Sequence, residues 1–89
     1  MLSAFRDIVM ITARQIRAAR ALLGWSQQEL ADRAIVSTNA LNRLERGLVD
    51  SRTSTLAAVQ SALVKGGIEF IPEDVKGEGV RLSRPSGAV

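Results

Sequence analysis

Apolar positions in this chain recur at three- and four-residue intervals through four separate stretches, then give way to two short β-prone runs near the C-terminus. The first stripe is Ile16, Ala19, Leu22 and Leu23. Thr12, with Gln15 three residues later, reads as a capping box that opens this helix, and Gly24 supplies its stop. Ser26 and Glu29 repeat the same logic for a second, short helix from Gln27 to about Ala34, with Leu30, Ala31 and Ala34 facing inward. After Ile35 and Val36 alone, Ser37 caps a third helix to about Arg46, carrying Leu41 and Leu44 on its inner face and ended by Gly47. The cluster Ser51 to Ser54 breaks the pattern and caps a fourth helix to about Lys65, with Leu56, Val59 and Leu63 as its buried stripe. Gly66 and Gly67 stop it. Ile68 to Ile71 and Val80 to Leu82, separated by Pro72, Gly77 and Gly79, predict an irregular hairpin.

The ends carry less pattern. Residues 1–11 form an apolar-leaning lead, either an N-terminal arm in which Leu2, Phe5 and Val9 recur at helical spacing or a segment bypassed by translation from Met10. Residues 84–89 read as a disordered tail. The organisation expected is thus a lead over 1–11, a helical domain over 12–66, a hairpin over 67–83 and the tail.

Composition narrows the chemistry. An 89-residue chain supports one compact core. With no Cys and no His, disulfides, thiolate metal sites, imidazole bases and Cys nucleophiles are all excluded. The carboxylates are scattered and no glycine-rich phosphate loop appears, so neither an enzyme nor a cofactor is expected. No apolar run approaches the roughly 20 residues of a membrane span, and a soluble, cytoplasmic protein with no membrane partner is the expectation. The formal charge is only +3, but it is unevenly spread. Arg6, Arg14, Arg17 and Arg20 face Asp7 alone in the front part, whereas Glu69, Glu73, Asp74 and Glu78 outnumber Lys76, Arg81 and Arg84 behind. That asymmetry suits one face turned toward a polyanion.

The second and third helices are too short to bury their apolar faces alone, so they must dock on the first and fourth. Ala31, being small, suits the point where helices cross. The outward face of the third helix is then Thr38, Asn39, Asn42, Arg43 and Arg46, whose amides and guanidinium groups can bond base edges or phosphates, with no acid among them. Trp25 reads as core or a lid over it.

In Arg20, in Trp25-Ser26-Gln27-Gln28-Glu29-Leu30-Ala31, in Val36-Ser37, and in Leu41 with Leu44-Glu45-Arg46-Gly47, the chain resembles the Cro/CI-type (XRE-like) helix-turn-helix regulators, over roughly Ala13 to Leu63. The resemblance implies a mainly α, four-helix phage-repressor-like domain followed by the hairpin. It implies that Gln27 fixes the second helix on the phosphate backbone, with Gln28 beside it. Ser37, Thr38, Asn39, Asn42 and Arg43 would face the groove, and Arg46 would approach a phosphate. Glu45 would pair with Arg20 as a structural tie. Two positions depart from the family pattern. Ile35 stands where the family has a turn glycine, so the turn is either reshaped or strained, and Ser51 replaces the usual proline after the third helix.

The function expected is sequence-specific binding of double-stranded DNA, as a repressor, on an inverted-repeat operator. One recognition helix contacts few base pairs, so two subunits on half-sites ~34 Å apart are expected. Ile68, Phe70, Ile71, Val80 and Leu82 are the candidate dimerisation residues, the alternative being a hairpin folded on its own subunit. A second reading is an antitoxin or adaptor that also binds a protein partner.

Overall fold

The computed structural model describes residues 11–48 and 54–83. Residues 1–10 of the lead, including the Met10 start, the caps expected at 51–53 and the tail from Arg84 lie outside the described residues. Four helices are followed by an antiparallel hairpin: α1 (Ala13–Leu23), α2 (Gln27–Ala34), α3 (Thr38–Glu45), α4 (Ser54–Lys65), β1 (Ile68–Ile71) and β2 (Gly79–Leu82).

The caps read from the sequence set the helix starts. Thr12 Oγ1 accepts from the Gln15 N–H at 3.1 Å, and Gln15 Oε1 accepts from the Thr12 N–H at 2.9 Å, so the capping box closes in both directions. Ser26 and Ser37 each accept one N–H, from Glu29 and Ala40, both at 3.0 Å. The last helical residue of α3 is Glu45, and Arg46 already leaves the helix at φ −96°, ψ 2°.

Ile16, Leu30, Leu41, Val59 and Leu63 are the largest fully buried side chains, and Ala19 and Ala31 are fully buried in the same core. Ile11 is buried in the same core, so the packed body begins within the segment read as a lead. Leu22 departs from expectation. Ile16, Ala19 and Leu23 define the inward stripe of α1, and Leu22, about 100° around the helix from Leu23, is 44% exposed. Trp25 is the lid that its composition suggests: half-buried against the core, with the Arg33 guanidinium 4.3 Å above its ring. Its ring lies so close to Gly66 that a Cβ there would come within 2.6 Å of it.

The hairpin pairs Ile68 with Leu82, Glu69 with Arg81, Phe70 with Val80, and Ile71 with Gly79. It lies on α1 and α4. Gln15, 5% exposed, explains how it is held: Nε2 donates to the carbonyls of Ile71 at 3.1 Å and Gly79 at 2.9 Å. At the surface, Glu78 accepts from Thr12 Oγ1 at 2.8 Å and from Arg14 Nε at 2.9 Å. No helix among the described residues is long and apolar enough to cross a membrane.

Candidate nucleic-acid interface

The interface is built around α3, whose two ends are held by different means. At its start the turn from α2 passes through Ile35 in the left-handed conformation, φ 59°, ψ 49°. The family geometry is therefore kept, and the turn is strained rather than reshaped. A β-branched side chain in that region meets its own backbone, at about 1–2 kcal/mol, and Ile35, 90% exposed, recovers none of this by burial among the described residues. The N–H groups of Ile35 and Val36 nevertheless bond back to Asp32 and Ala31, at 3.3 and 3.0 Å, closing α2 as a glycine would.

At its far end α3 is gripped through Glu45, which is 3% exposed. Arg20 meets its carboxylate with both edges of the fork, Nε to Oε2 at 2.8 Å and Nη2 to Oε1 at 3.0 Å. The remaining Arg20 nitrogen donates to the Trp25 carbonyl at 3.2 Å. Gln27 Nε2 also donates to Glu45 Oε1, at 3.1 Å. Arg17 reaches across from α1 and donates to the backbone carbonyl of Glu45. A carboxylate so buried is tolerable because both of its oxygens have donors and one of those donors is a cation, and no buried polar side-chain atom among the described residues lacks a partner.

Between these anchors Leu41 and Leu44 are buried, and the opposite face is open. Ser37, Thr38, Asn39, Arg43 and Arg46 are exposed and Asn42 is half-buried. Neither Arg43 nor Arg46 has an ion-pair partner among the described residues. Gln28 is exposed too, but its amide bonds Asp32 Oδ1 at 2.8 Å on its own helix. Of the residues read from the sequence, those on α3 thus stand on its open side, Gln28 bonds within α2, and the Gln27 side chain points its amide at Glu45. Arg17 belongs to no motif of the sequence, which counts it only in the basic front part, although its spacing of three from Arg20 puts both on one side of α1.

The shifted titrations lie elsewhere, on the hairpin. The Thr12 hydrogen bond, then Arg14, holds the Glu78 carboxyl below its ordinary value against some desolvation. Hydrogen bonding by Arg81 does the same for Glu69, and Arg81 is raised in return. Ile68 is buried, and Phe70, Val80 and Leu82 pack on the chain's own core. Of the five hairpin residues read as dimer contacts, Ile71 is left as the apolar one not committed there.

No curated protein matches the chain. A family model described as helix-turn-helix matches residues 16–63, just over half of the chain, and covers α1 from Ile16 through α4 as far as Leu63. With two short helices joined by a left-handed turn, an exposed polar face on the second of them and this match over the whole unit, the chain belongs to the Cro/CI-type (XRE-like) helix-turn-helix family and is a DNA-binding transcription regulator.

Proposed function

We propose that this regulator is a homodimeric repressor that reads an inverted-repeat operator with α3. The observation that carries the reading is the outward face of α3: a continuous polar surface without an acid, on a short helix whose angle to the body is fixed by the Glu45 cluster. In this reading Thr38, Asn39, Asn42 and Arg43 contact base edges, with Arg43 bidentate to a guanine. Ser37 presents the helix start to the backbone, Arg46 and Gln28 meet phosphates, and Gln27 supports the contact from α2. Repression requires only that the operator be occupied.

Pairing of two subunits falls to the edge of the hairpin that is unpaired among the described residues. Since most of its apolar side chains serve the chain's own core, the partner would be recognised mainly through edge backbone groups and Ile71. The domain division follows: residues 12–66 bind DNA, and 67–83 both brace α1 and carry the edge.

Selection of bound fragments from genomic DNA tests the whole reading, with a palindromic motif expected. On the enriched duplex, Arg43→Ala should cost about 1–3 kcal/mol and relax base preference, whereas Arg46→Ala should weaken enriched and random duplexes alike. Equal losses on both duplexes for both variants contradict the division of roles. A mass that stays at the 9.6 kDa of one chain in solution at micromolar concentration, with one chain bound per duplex, contradicts the dimer.

A further inference from the structure

We propose that Arg17 is a positioning residue for DNA reading, acting from α1 to close the C-terminus of α3 and so hold the last turn of that helix in its reading geometry. The inference rests on the assignment of α3 as the recognition helix.

A helix leaves its last four carbonyls without partners inside itself. In α3 these belong to Asn42, Arg43, Leu44 and Glu45. Three are satisfied by the chain as it turns away: Arg46 N–H bonds Asn42 at 3.1 Å, Leu48 N–H bonds Arg43 at 2.9 Å, and Gly47 N–H bonds Leu44 at 3.0 Å. The last two bonds form because Gly47 turns at φ 71°, where a side chain would be strained. The fourth carbonyl, of Glu45, is taken by the Arg17 guanidinium. The closing group is a cation, placed where the helix dipole favours one.

Arg17 is well founded for this work. Its neighbours Ile16 and Ala19 are buried, so its backbone belongs to the rigid part of α1, while its own residue is exposed. Glu45 is then held twice from one helix, through its carboxylate by Arg20 and through its carbonyl by Arg17. These two holds differ in consequence. Arg20 fixes where the end of α3 lies, and Arg17 keeps the final turn wound. Asn42 and Arg43 stand in that turn and Arg46 just beyond it, so fraying would displace three of the side chains aimed at DNA without unfolding the domain.

The test compares wild type, Arg17→Met and Arg17→Lys. Amide hydrogen exchange is followed without DNA, and binding is measured to the duplex enriched by wild type and to a random duplex of equal length. In Arg17→Met the amides of Arg46, Gly47 and Leu48 should exchange several-fold faster while those of Leu30 and Val36 do not change. Preference for the enriched duplex should fall by about five-fold, the scale of a helix-terminus charge. Arg17→Lys, which keeps a charged donor, should recover most of both. Unchanged exchange with equal weakening on both duplexes would make Arg17 a phosphate contact and overturn the proposal, as would Lys behaving like Met or Met behaving like wild type. If wild type enriches no sequence, the reading of α3 fails, whereas the exchange comparison still judges the role of Arg17 at the helix end.

Discussion

The two ends of α3 are held on opposite principles. At the entry a single residue, Ile35, turns the chain with its backbone in a region its side chain resists and with 90% of its surface in solvent. At the exit, Glu45 is buried and receives donors from Arg17, Arg20 and Gln27, on two different helices. One joint works against local preference, and the other is determined several times over. Strain at the entry persists because the exit, with Leu41 and Leu44, has already settled where α3 lies. The difference teaches that in so small a unit the direction of α3 is set by side chains at its far end and merely permitted by the turn.

The comparison can be broken at the exit first. Glu45→Ala leaves Arg20 and Gln27 facing an emptied, largely desolvated site; because Arg20 retains partial access to water, a loss of about 3 kcal/mol is expected, the lower end for a broken buried pair. Denaturant unfolding followed through the single Trp25 reads it directly, and a loss below about 1 kcal/mol would remove the exit as the dominant anchor. Gln27→Ala deletes one neutral donor to that carboxylate and should cost about 1–1.5 kcal/mol. If it instead weakens DNA binding without any change in unfolding midpoint, Gln27 serves the phosphate alone.

At the entry the sign reverses. Ile35→Gly relieves the left-handed strain but frees the unfolded chain, so a net gain of about 0.5–1 kcal/mol is expected in the same unfolding measurement. A loss would mean that the exposed side chain is needed. The smallest effect belongs to a third joint, the Glu78 contacts with Thr12 and Arg14, where an ion pair lies at the surface. The folded state depresses the Glu78 carboxyl, so the contact stabilises above the ordinary carboxylate range and is lost as pH falls through the lowered value. Glu78→Gln should therefore be slightly less stable than wild type near neutrality, and the difference should close as pH falls through the lowered value. An effect as large as that of Gln27→Ala would show that burial is not what separates the exit from a surface pair.

Much of this was legible in the sequence, for local reasons. Thr12 with Gln15, Ser26 with Glu29, and Ser37 announce helix starts because a cap and its helix lie within one turn, and the element order follows from them. Glu45 and Arg20 were connected through the family pattern. The outcome at Ile35 was not legible, since whether the turn or the residue yields depends on what holds α3 elsewhere. Leu22 misled because two adjacent leucines both fit the stripe of α1, and the neighbours decide which is covered. Gln27 has the same amide for a phosphate or a carboxylate, so only the position of Glu45 shows where it points. Arg17 carried no motif, because a cap supplied from a different helix has no fixed spacing.

Gln15 also has a place in the order of assembly. Its bonds with Thr12 form as α1 forms, within three residues, while the carbonyls it holds on the hairpin lie 56 and 64 residues along the chain. The local bond through Oε1 fixes the amide so that Nε2 faces the carbonyls of β1 and β2. The side chain that holds the hairpin is thus ordered by a local bond of its own, so the distant contact carries less of the side-chain ordering cost it would otherwise impose.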